Sequence, residues 1–145
     1  MNPLRRTLLG AASALLLKPF AALAAWHKEA FGAKSAPDAL KSLGIANAAP
    51  SQDVLIEAPQ IAENGAVVPI EITSNVKGTT SILVLIDKNP FPLVGKFDFA
   101  EGALPFVKVN LKMGETSDVR VLAEAGGKHY FATREIKVTI GGCGG

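Results

Sequence analysis

Between Val54 and Ile140, apolar side chains recur at every second position in one segment after another, and this restricts the fold more than any other feature. Val68, Ile70 and Ile72 alternate with Pro69, Glu71 and Thr73. Val107, Val109, Leu111 and Met113 alternate with Lys108, Asn110 and Lys112, and Val119, Val121 and Ala123 follow. A period of two puts the apolar set on one side of an extended chain and the polar set on the other, which describes a β-strand with one wet face. Ile82–Ile86 breaks the alternation. It is a continuous apolar run of strand length, expected of a strand buried on both faces.

The remaining signals complete the pattern. Val54 and Ile56 begin a strand that ends near Pro59. Ile61 leads to Asn64-Gly65, a pair that predicts a tight hairpin turn. Phe97 and Phe99 flank Asp98, Gly126-Gly127 turns the chain, and Tyr130 to Ile140 forms the last strand. About seven strands at this spacing, with no helix alternating between them, fit an all-β fold: an immunoglobulin-like antiparallel β-sandwich over residues 51–140. The single cysteine excludes the Cys–Trp–Cys core of antibody domains. Residues 25–50 read as a short helical segment and a linker. Trp26, Ala30 and Phe31 share one face and Ala39, Leu40 and Leu43 another; Pro37 starts the second piece and Gly44 ends it. Asn47 to Ser51 reads as the linker.

At 145 residues the chain suits one domain. Its hydrophobic share of 48% against 19% charged residues is that of a folded protein. Residues 1–24 read as an export signal: Arg5-Arg6, an apolar stretch from Leu8 to Leu17, and Ala22-Leu23-Ala24 as the cleavage site. Arg5-Arg6-Thr7-Leu8-Leu9 resembles a twin-arginine signal, with Leu4 where a polar residue is usual. The apolar stretch is shorter than the roughly 20 residues that span a bilayer, so no stable membrane insertion is expected. Cleavage after Ala24 places the mature chain in the periplasm. It also removes three of the 15 Lys and Arg and none of the 13 Asp and Glu, leaving a net charge of −1. That balance excludes a nucleic-acid partner, which requires a concentration of positive charge.

The chain ends Gly141-Gly142-Cys143-Gly144-Gly145. Its one cysteine has no partner within the molecule. Flanking glycines offer nothing to pack and leave the backbone its freedom, so residues 141–145 are expected to act as a flexible, exposed arm. Three residues past Ile140 give the sulfur a reach of roughly 10 Å. Such a thiol is poorly placed as a catalyst, since an unperturbed thiol is mostly protonated near neutrality. A mobile arm also cannot hold a base beside a nucleophile. It suits a handle that other enzymes grip, as in group carriers.

Val138 to Gly145, together with Pro59–Pro69 (PQIAENGAVVP) and Lys88–Leu93 (KNPFPL), resembles the SoxY family, the sulfur-compound carriers of periplasmic thiosulfate oxidation. The resemblance spans about residues 50–145. It implies an immunoglobulin-like fold, a heterodimer with a SoxZ-type subunit, covalent attachment at Cys143, and a swinging arm made of Gly141, Gly142, Gly144 and Gly145. It further implies transient docking with a SoxAX-type haem enzyme that couples thiosulfate to the thiol. A SoxB-type hydrolase would then release sulfate, and a sulfane dehydrogenase or other acceptor would take the remaining sulfur. On this reading the protein is not an enzyme and has no catalytic residue, cofactor or metal of its own.

Three other readings compete. A C-terminal Gly-Gly also occurs in carriers that form a thiocarboxylate, but that chemistry needs ATP, which an exported protein does not meet. A metal site from His27, His129 and Cys143 matches no ligand spacing. A passive sandwich with an incidental tail is the third. In the Lys88–Val94 loop, Pro90 and Pro92 interrupt the sheet, which marks Phe91 and Leu93 as a possible partner surface.

Overall fold

A computed structural model of the chain describes residues 26–140. Two short helices, α1 (Lys28–Gly32) and α2 (Ala36–Ser42), precede nine strands. These are β1 (Ala49–Pro50), β2 (Val54–Glu57), β3 (Ile61–Ala62), β4 (Val68–Ser74), β5 (Thr79–Ile86), β6 (Leu93–Asp98), β7 (Phe106–Leu111), β8 (Ser117–Ala125) and β9 (Lys128–Val138). The larger sheet runs β1-β9-β8-β5-β6, with β3 also on β9; the smaller runs β2-β4-β7. The result is the expected immunoglobulin-like sandwich. Its long strands pair antiparallel, while β1 and β3, two residues each, pair parallel with β9.

The alternating residues fill the space between the sheets. Val54, Val68, Ile70, Ile72, Val107 and Leu111 from the smaller sheet meet Ile82, Val84, Ile86, Val119, Val121 and Ile136 from the larger. Burial of each such side chain contributes about 1.5–3 kcal/mol. The other face of the larger sheet carries a second core, in which Leu83, Leu85, Leu93 and Leu122 lie against Ala30, Ala36, Ala39 and Ile45. The two helices therefore form a third layer over this sheet. That layer explains the unbroken Ile82–Ile86 run: even members face the sandwich and odd members face the helices.

The helix boundaries follow from local chemistry. Ser35 caps α2 by accepting from the Asp38 amide, and Pro37 occupies the first turn, where its missing N–H costs nothing. At the other end Gly44 has φ +74°, while Ile45 N–H donates to Leu40 O and Gly44 N–H to Lys41 O. This left-handed glycine closure satisfies the last carbonyls of the helix.

The structure departs from the sequence pattern in three places. Ala49–Pro50, expected in a linker, pairs with Tyr130–Phe131 as β1. Asn64-Gly65 is not a hairpin turn: β3 pairs with β9 and β4 with β2 and β7, so the two strands beside it lie in different sheets. Leu93, expected at the surface with Phe91, is only 2% exposed. The cause is a bulge. Val84 pairs with Gly95 but Leu85 pairs with Leu93, which leaves Val94 as an extra residue and turns Leu93 onto the helix-covered face.

Candidate functional site at the root of the C-terminal segment

Cys143 and the arm glycines Gly141, Gly142, Gly144 and Gly145 lie outside the described residues. The structure does define the root from which they extend. The last turn of β9 is held along both edges. Toward β8, Val138 N–H donates to Thr116 Oγ1 at 2.9 Å, continuing the ladder past Ser117, the first residue of β8. On the opposite edge, Lys137 N–H donates to Gln60 O at 3.0 Å and Thr139 N–H to Ala62 O at 3.1 Å. The Thr139 hydroxyl donates to Glu63 O at 3.2 Å. Finally, Gly65 N–H donates to Ile140 O at 2.9 Å.

The 60–65 segment is fixed in turn. Gly65 O accepts from Met113 N–H at 2.7 Å, and Met113 is fully buried in the sandwich core. Asn64 bends the chain here: its Oδ1 accepts from Ala66 N–H at 2.9 Å and its backbone carbonyl accepts from Val67 N–H. Neither Asn64 nor Gly65 has positive φ, so the pair forms a side-chain-closed Asx turn instead of the mirror-image turn of a two-residue hairpin. Ala62 is buried, and Ile61, Val67 and Ile140 are exposed around the root. Apart from the Thr116 and Thr139 hydroxyl contacts and the Asn64 Oδ1 bond, the hydrogen bonds holding the root are between backbone groups, so composition alone could not reveal it. The visible signal was the Pro59–Pro69 segment, whose role is to clamp β9.

Phe91 is half-exposed, with the Lys34 ammonium 3.7 Å from its ring centroid. It shares a groove of about 410 Å³ with Val94, Leu111 and Lys112. Asn89 Nδ2 donates to Lys112 O at 2.8 Å, and Gly114 N–H donates to Asn89 Oδ1, which ties the 88–92 loop to the end of β7. Of the two residues marked as a partner surface, only Phe91 is at the surface. His27 immediately precedes α1 without a capping bond from its side chain, and His129 lies at the start of β9 with Nε2 4.0 Å from Glu124. Among the described residues no group of three or more His, Cys, Asp or Glu converges on a metal-sized site. No helix among them is long and apolar enough to cross a membrane.

Comparison with known proteins gives the family. Residues 40–143 match the model of the sulfur oxidation protein SoxY. The solved structure of the sulfur carrier protein SoxY from Chlorobium limicola f thiosulfatophilum is 37% identical, with a TM-score of 0.65, and the match covers 72% of this chain and 96% of that one. A chain from a structure described as the structural basis of T cell specificity and activation by the bacterial superantigen toxic shock syndrome toxin-1 is also similar, at 16% identity over 59% of this chain and 98% of that one, with a TM-score of 0.40. Nothing is drawn from so low a score. No curated protein sequence matches the chain.

Proposed function

The chain belongs to the SoxY family of sulfur oxidation proteins, and from that premise we propose that Cys143 is the covalent attachment point for sulfur intermediates. The observation that carries this reading is positional. The family match ends on the only cysteine, three residues beyond Ile140, the last described residue, whose carbonyl accepts from Gly65 N–H. At that distance a thiol reaches roughly 10 Å from the domain, with glycine on either side to let it enter a narrow active site.

The chemistry is set by the thiol. Oxidative coupling with thiosulfate, catalysed by a SoxAX-type haem enzyme that takes two electrons and releases one proton, forms a Cys143–S–SO3⁻ adduct. Hydrolysis by a SoxB-type enzyme adds water across the sulfur–sulfonate bond, giving sulfate, a proton and a Cys143 persulfide. Either a sulfur acceptor takes the outer sulfur directly, or a sulfane dehydrogenase oxidises it to the sulfonate, consuming three waters, releasing protons and passing six electrons to a cytochrome-type acceptor, and hydrolysis then releases sulfate and restores the thiol. The sandwich binds a SoxZ-type subunit, the arm swings between the partner enzymes, and the carrier catalyses none of the steps itself. The Arg5-Arg6 signal delivers it to the periplasm.

Replacement of Cys143 with serine tests the reading. The variant retains its fold and its SoxZ-type partner but supports no thiosulfate-dependent oxygen uptake, because a hydroxyl cannot form the sulfur–sulfur bond. Full uptake with Cys143→Ser contradicts the proposal.

A further inference from the structure

We propose that Asn64-Gly65 is a self-modification site, in which the Gly65 amide nitrogen displaces ammonia from the Asn64 side chain, and that the hydrogen bond from Gly65 N–H to Ile140 O holds this reaction in check. It does not depend on what Cys143 carries.

Three observations carry it. First, Asn64 is the only asparagine in the chain followed by glycine, and a glycine has no Cβ to obstruct closure of a succinimide ring between the two residues. Second, the electrophile is already polarised. Asn64 Oδ1 accepts from Ala66 N–H at 2.9 Å, so the charge that develops on this oxygen during attack meets a fixed donor. The side chain is exposed, which lets water reach it and ammonia leave. Third, the nucleophile is restrained. Gly65 is buried, its N–H donates to Ile140 O at 2.9 Å, and its own carbonyl accepts from Met113 N–H at 2.7 Å. Removing the amide proton forfeits the first bond and sets the nitrogen lone pair against the Ile140 oxygen, where burial makes an unpaired polar group costly. While both bonds hold, the peptide cannot turn toward Asn64 Cγ.

The chemistry needs no co-reactant but water. The Gly65 nitrogen forms a bond to Asn64 Cγ, the Cγ–Nδ2 bond breaks, and the amide proton leaves with Nδ2 as ammonia, giving the succinimide. Water then opens the ring at either carbonyl, to aspartate or isoaspartate at position 64, with no change of oxidation state. Both products add a negative charge next to Glu63. The isoaspartate also adds a methylene to the backbone ahead of Gly65, so Gly65 can no longer meet Ile140 and Met113 together. The change is one-way.

The test uses the full chain, held folded in mildly alkaline buffer. Peptide mass spectrometry that separates aspartate from isoaspartate, with an ammonia assay, reads the rate at position 64. The same chain unfolded in urea supplies the unrestrained rate, and the folded parent is much slower. Ile140→Gly loosens the backbone that presents the acceptor, at a side chain that is 66% exposed, and leaves Asn64, Gly65 and the bonds of Thr139 in place. Strand preference at one residue changes an equilibrium by roughly fivefold. Deamidation and Gly65 amide hydrogen exchange therefore both rise by about that factor in Ile140→Gly, while Ile140→Val matches the parent. Asn64→Asp releases none of this ammonia. A folded parent that deamidates as fast as the unfolded chain overturns the proposal, and so does an unchanged rate in Ile140→Gly. Protein carrying isoaspartate at position 64 exchanges its Met113 amide faster than unmodified protein; equal exchange overturns the one-way change at Gly65.

Discussion

Leu83 and Val84 are adjacent in β5 yet bury their side chains in different cores, Leu83 against the helices and Val84 between the sheets. The larger sheet therefore depends on a covering at each face. Removing the helical layer would uncover Leu83, Leu85, Leu93 and Leu122 together. The layer is thus part of the domain.

Truncating Leu83 measures that dependence. Leu83→Ala leaves a cavity in the helix-facing core and lowers stability by about 2–5 kcal/mol. Leu55→Ala, at a site 41% exposed on the smaller sheet, changes it by no more than about 0.5 kcal/mol. Urea unfolding checks both values. A chain lacking residues 26–45 should bind a hydrophobic dye strongly, and equal dye binding by the full and shortened chains would contradict the three-layer arrangement.

The sandwich was legible because its signal is local. Val68-Ile70-Ile72 and Val107-Val109-Leu111 announce their strands through alternation, and Ile82–Ile86 announces double burial. β1 and β3 carry no such signal. Each is two residues long and pairs in parallel with β9, more than 70 residues away. Parallel pairing needs no turn chemistry beside it and leaves no trace in the neighbouring sequence. Asn64-Gly65 was misleading for a related reason. The pair favours a reversal, but whether the flanking strands join each other or different sheets is decided by distant partners. Leu93 followed from neither pattern nor turn, since one bulged residue at Val94 selects the face. Cys143, the proposed attachment point, stands out in the sequence by its uniqueness and its glycines, but the contacts of residues 60–65 with the end of β9 do not.

The ion pair on the smaller sheet gives a pH prediction. Glu71 accepts a hydrogen bond from the Lys108 ammonium and attracts it electrostatically, which raises the lysine above its usual 10.5. A folded-state value above the unfolded one means that the pair's contribution is complete below the unfolded value and is lost as pH rises through the folded one. Stability should thus be insensitive to this pair between roughly pH 6 and 9 and decline above about 10.5. Because Lys108 is exposed, the effect is small and weakens with salt. Urea midpoints of the parent and Lys108→Met at pH 9 and pH 11 should converge at the higher pH. A gap that grows with pH would contradict the assignment.

Ending the chain at Ile140 should leave both the domain and its partner complex intact. Among the described residues the hydrogen bonds of the root use groups up to Ile140, and the proposed docking surface is the sandwich. Size-exclusion chromatography with the SoxZ-type subunit should show the same complex with and without residues 141–145. Loss of the complex would place the terminal segment in the interface.

Export makes its own prediction. N-terminal sequencing of native protein from the periplasmic fraction should begin at Ala25. Recovery of an intact Met1 from the cytoplasm would overturn the assignment of residues 1–24.

The central claim is that Cys143 carries the sulfur. Intact-mass and fragment-ion spectrometry of the protein purified from thiosulfate-grown cells tests it most directly. The account predicts a population with the added mass of one thiosulfate unit and another with one extra sulfur atom. Both should map to Cys143, vanish on reduction, and be absent from Cys143→Ser. Unmodified Cys143 in actively oxidising cells, or sulfur on the Gly145 carboxylate, would contradict it.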